Sequence, residues 1–352
     1  MTVLTALILL LQPDPRLVEH VKAGLAARQA GQLDRAAREL QAAAKLAPSL
    51  AEIQLNLGLV QHERQDFAAA VAAFEQALAA KPALTGVRDL MGFDLLQLGR
   101  VQQAVQTLER ALEENPANNE ARAWLGLANL EAGDYRAAAR HLETALASKP
   151  SDPDLLFYLT RVYDRLGAEA RQRLLDAAPD SARAHMAAAE FAAFNGRSTE
   201  AIEEYRKAQA SAPKLPGIAG AIAELLANDS KFDEAAASYR QELALNPGNA
   251  RTQYRYGLVL GQLGRPKEAI GYLGQAVAGD PSLHDARFQL GKLLLTAGDL
   301  AAAERELLAV SAAPVSNEML SAAAYQLAAL YRKQGEAAKA AEQLRRFEAL
   351  KK

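Results

Sequence analysis

The feature that most constrains this chain is a spacing of glycine, alanine and proline that recurs along almost its whole length. Seven glycines are each followed five residues later by an alanine: Gly31, Gly99, Gly133, Gly196, Gly264, Gly298 and Gly335. Prolines recur every 34 residues, first as Pro48, Pro82, Pro116 and Pro150, then, out of phase by five, as Pro179, Pro213, Pro247 and Pro281. A strict period of this length indicates one structural unit that is repeated many times.

Each period contains two amphipathic helices. In the stretch from Thr85 to Asn118, apolar residues recur at helical spacing up to Gly99, where a left-handed C-terminal position favours glycine. A second helix is predicted from Val101 to Glu114, and it ends before Pro116 because the residue before a proline avoids the α region. Small residues, Gly92 among them, are expected where the two helix axes come close.

These repeats resemble the tetratricopeptide repeat (TPR) family, which has a 34-residue period with small, aromatic and proline positions. The matching residues of one unit are Leu125, Gly126, Gly133, Tyr135, Ala138, Leu142, Ala145 and Pro150, and those of another are Tyr256, Gly257, Gly264, Ala269, Leu273, Ala276 and Pro281. The resemblance extends from about residue 17 to residue 352. It implies an all-α fold, a right-handed α-solenoid of stacked helix-turn-helix units, with a concave groove that holds peptides or helices of partner proteins.

The repeats are predicted to form two sub-arrays. Units begin near Leu17, Ala51, Thr85, Asn119, Pro153, Ala182, Pro216, Ala250, His284 and Ser321. The fifth unit is five residues shorter than its neighbours between Gly167 and Pro179. We therefore expect an N-terminal sub-array at 17–166, a truncated repeat and bend at 167–181, and a C-terminal sub-array at 182–352. The alternative is a short 3₁₀ turn that absorbs the deletion locally.

The resemblance implies which first-helix positions face the groove. The candidate partner-binding residues at these positions are Phe93, Trp124, Leu127, Phe157, Tyr158, Arg161, Arg165, Met186, Phe194, Tyr254, Arg255, Phe288 and Lys292. Aromatic and arginine side chains of this kind dominate many binding hot spots. Trp124, Phe157 and Tyr158 are expected to lie near one another, with Arg161 and Arg165 as donors to an acidic partner. For any single residue, the alternative is packing against the next unit or ordinary solvation.

Composition and motifs argue against catalysis and against nucleic-acid binding. Forty basic and 42 acidic residues give a net charge of −2, so the whole chain has no attraction to phosphate backbones. There is no cysteine, and the five histidines lie in different units without the spacing of a metal site. The sequence predicts that the protein is no enzyme and has no cofactor and no metal site. We also expect the last unit to leave no room for a catalytic domain.

The N-terminal segment has the apolar pattern of an export signal. Val3–Leu11 is an uncharged apolar run followed by Pro13 and Pro15. This length suits the apolar region of a signal peptide and is too short to span a bilayer. We therefore predict that residues 1–16 are a signal peptide or apolar leader and that the protein is exported, periplasmic or secreted. The alternative is a cytoplasmic protein whose apolar first helix caps the array.

Taken together, the sequence predicts a non-catalytic scaffold that binds a peptide or helix of another protein in a TPR groove. The alternative is a structural subunit of cell-envelope or secretion machinery that oligomerises through the array. The expected partners include neither nucleic acid nor a metal ion, and membrane contact is expected only through the N-terminal segment.

Overall fold

The computed structural model describes residues 14–351, and within this range the chain forms nineteen α-helices and no β-strand. The predicted leader lies almost entirely outside the described residues. No helix between residues 14 and 351 is long and apolar enough to cross a membrane. The chain divides into two compact units, Met1–Ala170 and Arg171–Lys352.

The first unit contains four helical hairpins and most of one long helix, whose last seven residues, 171–177, belong to the second unit. The hairpins are α1 (Pro15–Gln29) with α2 (Leu33–Leu46), α3 (Ala51–Glu63) with α4 (Phe67–Ala80), α5 (Val87–Gln97) with α6 (Val101–Glu114), and α7 (Asn119–Ala132) with α8 (Tyr135–Ser148). The long helix is α9 (Pro153–Ala177). In each hairpin the two helices pack on each other, and the second helix packs on the first helix of the next hairpin. This nearest-neighbour stacking defines a solenoid.

The second unit contains five further hairpins. They are α10 (Ala182–Phe194) with α11 (Ser198–Ser211), α12 (Ile218–Asn228) with α13 (Phe232–Leu245), α14 (Ala250–Gln262) with α15 (Pro266–Gly279), α16 (His284–Ala297) with α17 (Leu300–Ser311), and α18 (Asn317–Gln334) with α19 (Ala337–Leu350). They stack on their neighbours in the same way as in the first unit. The predicted all-α solenoid of helix-turn-helix units is therefore confirmed.

The turn inside a hairpin has the local chemistry that the sequence predicts. Gly133 ends α7 with a φ of +83°, a left-handed conformation that costs glycine little because it has no Cβ. Asp134 follows, and its side chain accepts a hydrogen bond from the backbone N–H of Ala137 at 2.9 Å, which caps α8. All seven predicted turn glycines have positive φ, so these predictions are confirmed.

A contact between a small and a large residue sets the distance between the two helices of a hairpin. Gly126 in α7 lies against the fully buried Leu142 in α8, and a Cβ added to Gly126 would lie 2.6 Å from the Leu142 Cγ. The same contact recurs as Gly24 with Leu40, Gly58 with Phe74, Gly92 with Leu108, Gly257 with Leu273 and Gly291 with Leu307. The expected close approach at Gly92 is confirmed, and the residue that it meets is Leu108.

The fifth repeat differs from its prediction. The sequence predicts a truncated repeat and a bend at 167–181, but α9 continues through Gly167 without a turn to Ala177. The residues that follow Gly167, Ala-Glu-Ala-Arg-Gln, are strong helix formers, and the repeat lacks five of the residues from which its neighbours build a second helix. The helix therefore continues through the glycine. Because the repeat has no second helix of its own, Leu156 and Tyr163 in α9 stay 45% and 49% exposed.

Candidate partner-binding groove

A groove of about 750 Å³ lies on the first unit, lined by the first helices α5, α7 and α9 and by the C-terminal end of α8. Its apolar and aromatic lining residues are Phe93, Leu96, Ala123, Trp124, Leu127, Ala145, Leu155 and Tyr158. Concave surfaces that combine apolar side chains with a few polar groups are the usual form of a ligand site. The stacking thus brings together side chains from three successive repeats.

An aromatic cluster holds one side of the groove in place. The rings of Phe93 and Trp124 lie 5.0 Å apart, centre to centre, at an angle of 46°. Phe93 also meets Phe67 edge-on at 6.0 Å and the His62 ring at 5.7 Å. Each ring pair of this geometry adds to the stability of the cluster beyond its buried area. Since the rings already pack on one another, little side-chain freedom remains to be lost when a partner binds.

A buried carboxylate, that of Asp94, contacts the His62 ring of this cluster. The Asp94 side chain is fully buried, and its Oδ1 lies 2.6 Å from the Nδ1 of His62. Its other oxygen, Oδ2, has no hydrogen-bond partner among residues 14–351. Burial raises the pKa of Asp94, and the hydrogen bond and charge of His62 act in the opposite direction. The pair is not predicted from the sequence, because His62 and Asp94 come from different repeats and meet only when the repeats stack.

The candidate residues of the first unit divide into two sets. Phe93, Trp124, Leu127, Tyr158 and Arg161 line the groove. Phe157 and Arg165, the other two, do not line it.

Phe157 is 60% exposed and stacks edge-on against Tyr158 at 5.5 Å, whereas Arg165 is exposed. The Arg161 guanidinium lies 3.9 Å from the Glu131 carboxylate. Of the three aromatic residues expected to lie together, only Trp124 and Tyr158 therefore share the groove.

Carboxylates outnumber cations along the groove. The charged lining residues are Glu120, Glu131, Asp152, Asp154, Lys149 and Arg161. None of the four carboxylates is among the sequence candidates, although the sequence carries a signal for them. Glu120 and Asp154 occupy equivalent positions in successive repeats: each is the second residue of a first helix, α7 and α9 respectively. They are absent from the predicted set, which contains only apolar, aromatic and basic side chains at groove positions.

The candidates of the second unit are placed in three ways. Met186, Tyr254 and Phe288 are partly buried and pack against the hydrophobic core, and burial raises the pKa of the Tyr254 hydroxyl. Arg255 pairs with the Glu224 carboxylate at 3.0 Å. Phe194, at 89% exposed, and Lys292 project into solvent.

Stacked helical hairpins with an aromatic-lined groove define an α-helical repeat scaffold of the protein-interaction type. The chain belongs to the tetratricopeptide repeat family. Family models described as tetratricopeptide repeat match residues 21–84, 90–153, 130–173, 165–216 and 221–284, a related model matches 260–322, and a third matches 321–346. The resemblance inferred from the sequence is therefore confirmed.

One curated relative is "Cellulose synthase operon protein C" of Pseudomonas fluorescens (strain SBW25), which is 36% identical over 117 residues. The match covers 31% of this chain and 9% of the relative, so the chain spans less than a tenth of that protein's length.

Similar solved structures include "MamA RS-1 ArsTM double mutant", with 18% identity, a TM-score of 0.45, and coverage of 48% of this chain and 94% of that one. A second is "Crystal structure of APC/C hetero-tetramer Cut9-Hcn1", with 15% identity, a TM-score of 0.41, and coverage of 99% and 90%. A third is "TPR2AB-domain:pHSP90-complex of yeast Sti1", with 17% identity, a TM-score of 0.37, and coverage of 70% and 98%.

Proposed function

We propose that the protein is a non-catalytic interaction scaffold that binds a peptide or helix of a partner protein in the groove of the first unit. The observation that carries this proposal is the convergence of Phe93, Trp124, Leu127 and Tyr158, from three successive repeats, on one groove of about 750 Å³. Trp and Tyr are over-represented among the residues whose removal costs most binding energy.

The test replaces Trp124 and Tyr158, the two aromatic residues of the groove that carry a polar group, and leaves the fold intact. In a Trp124→Ala, Tyr158→Ala variant, we expect loss of the proteins that the wild type captures from a lysate of its source organism. One good anchor typically contributes about 2 kcal/mol or more to binding. Circular dichroism should remain helical, since alanine has the highest helix propensity.

The matched control is Tyr163→Ala, which removes an aromatic side chain from the same helix as Tyr158, outside the groove. This variant should capture the same proteins as the wild type. If the double variant unfolds, its two aromatics are part of the core and the groove assignment is wrong. If it stays folded and captures the same proteins, the partner binds to another surface.

The proposal includes export and a location at the cell envelope. Support comes from the uncharged run Val3–Leu11 before two prolines and from the partial match to a cellulose synthase operon protein. Mass spectrometry of the mature protein should find an N-terminus between about Gln12 and Leu17, in line with short signal peptides. An intact Met1 or Thr2 in a cytosolic fraction contradicts this part of the proposal.

A second candidate function is a structural assembly subunit that oligomerises. It is favoured by two exposed aromatic residues on α10, Phe194 at 89% and Phe191 at 42% exposed. Exposed aromatics of this size are typical of interfaces between proteins. Light scattering separates the two functions: a monomer supports the scaffold, and a defined oligomer that Phe194→Ser disrupts supports assembly.

A further inference from the structure

We infer that the groove of the first unit selects a basic partner, namely a peptide or helix that carries apolar anchor side chains next to lysine or arginine. The inference rests on the proposed function, because it names the class of partner for the same groove. Its basis is the charge that the groove presents beside its aromatic residues.

The groove is lined by four carboxylates and two cations. One cation is already matched inside the protein, since the Arg161 guanidinium lies 3.9 Å from the Glu131 carboxylate. Lys149 is then left against three carboxylates, those of Glu120, Asp152 and Asp154. The remaining charge of the lining is therefore negative, and a positively charged segment complements it.

The three remaining carboxylates are not equally available. Asp152 accepts hydrogen bonds from the backbone N–H groups of Asp154 and Leu155 at 3.1 and 3.2 Å, so it serves mainly as the cap of α9. The side chains of Glu120 and Asp154 are exposed and make no hydrogen bond or ion pair within the described part of the chain. Glu120 and Asp154 are therefore the carboxylates that we assign to contact a partner cation.

This assignment reverses the expectation from sequence. Arg161 and Arg165 favour an acidic partner when they are considered alone. In the structure, Arg161 has a carboxylate neighbour of its own, and Arg165 does not line the groove. The apolar residues Phe93, Trp124 and Leu127 would hold the anchor side chains, and the carboxylates would hold the flanking cations.

The probe is a library of random peptides displayed on phage. It is selected on the full chain and counter-selected on the folded Trp124→Ala, Tyr158→Ala variant, so that only groove-dependent peptides remain. Peptides with apolar residues flanked by Lys or Arg should be enriched. A selected peptide should bind about tenfold more weakly to a Glu120→Lys, Asp154→Lys variant, and the difference should shrink at high ionic strength.

The matched control is Glu109→Lys, Glu113→Lys, which makes the same change of charge on α6, away from the groove lining. It should leave the affinity within about twofold of the wild type, because Glu109 and Glu113 are exposed and do not line the groove, and salt screens exposed charges that are not in contact. The Glu120→Gln, Asp154→Gln variant should fall between the wild type and the lysine variant.

The possible outcomes separate the two proposals. Enrichment of acidic or uncharged peptides that still require Trp124 and Tyr158 overturns the inference and leaves the proposed function standing. Equal loss of affinity in the groove variant and in the α6 control also overturns it, because the effect would then be one of net charge alone. If no peptide depends on Trp124 and Tyr158, the proposed function itself fails.

Discussion

Gly126 and Leu142 touch across the α7–α8 hairpin so closely that a methyl group at Gly126 would overlap the Leu142 side chain, at 2.6 Å from its Cγ. We expect Gly126→Ala to destabilise the chain. Overpacking of a filled core costs about 1–3 kcal/mol, and the better helix propensity of alanine returns only about 1 kcal/mol. The net loss should appear as a lower urea midpoint, followed by circular dichroism.

The same substitution at Gly167 is the control, and it should have the opposite sign. Gly167 lies inside the continuous helix α9 with nothing within 4 Å of a Cβ added there. Gly167→Ala should therefore stabilise the chain by about 0.5–1 kcal/mol. A destabilised Gly167→Ala would indicate that this residue forms a turn after all.

The fifth repeat has no second helix, and from this difference we predict an effect on stability. Leu142 is fully buried, whereas Leu156 is 45% exposed on the uncovered side of α9. Leu142→Ala should cost about 2–5 kcal/mol, the range for a filled core site. Leu156→Ala should cost less than about 1 kcal/mol. Equal losses in the two urea titrations would mean that another segment covers Leu156.

Much of the fold can be predicted because it is encoded locally. Gly133 and Asp134 determine a turn within a few residues, and repetition of that turn determines the stack. The continuation of α9 through Gly167 is harder to predict, because glycine can lie inside a helix as well as at its end, and strong helix formers follow it here. The groove carboxylates Glu120 and Asp154 can be predicted from the sequence, because they occupy the same position, the second, of the first helix in successive repeats. By contrast, the contact of His62 with Asp94 depends on how two repeats stack.

The pair of Asp94 and His62 predicts a pH dependence. The pKa of Asp94 is raised above its ordinary 3.8, chiefly by burial. The folded chain therefore binds this proton more tightly than the unfolded chain, and the stability from this group is lost as the pH rises from 3.8 through the raised value. In Asp94→Asn this titration is absent, so the variant should gain stability relative to the wild type over that window.

The measurement is the difference in free energy of unfolding between wild type and Asp94→Asn, taken at a series of pH values. Other carboxylates change both proteins alike and cancel in the difference. Asp164→Asn, at an exposed position of α9, is the control and should give a flat difference. A flat difference for Asp94→Asn as well would show that burial does not disfavour the charged form of this carboxyl.

The last prediction concerns Glu242 in α13, which caps the start of the neighbouring helix α12. Its buried carboxylate accepts hydrogen bonds from the backbone N–H of Gly217 at 2.8 and 2.9 Å and from that of Gly220 at 3.2 Å. No Ser, Thr, Asp or Asn precedes α12 to act as a local cap. The negative charge also lies at the positive end of the helix dipole. Glu242 therefore satisfies backbone N–H groups at the start of α12 that have no acceptor within the helix.

Glu242→Ala should destabilise the chain by about 1.5–3 kcal/mol, the usual value of hydrogen bonds to a charged group. Glu242→Gln should lose less, because the amide oxygen still accepts a bond but without the added strength of charge. The control is Glu234→Ala on the same helix, where an exposed pair with Arg206 at 3.8 Å contributes at most about 1 kcal/mol. Amide hydrogen exchange at Gly217 and Gly220 should accelerate only in the Glu242 variants. If Glu242→Ala and Glu234→Ala unfold at the same urea concentration and both glycine amides stay protected, another group caps α12.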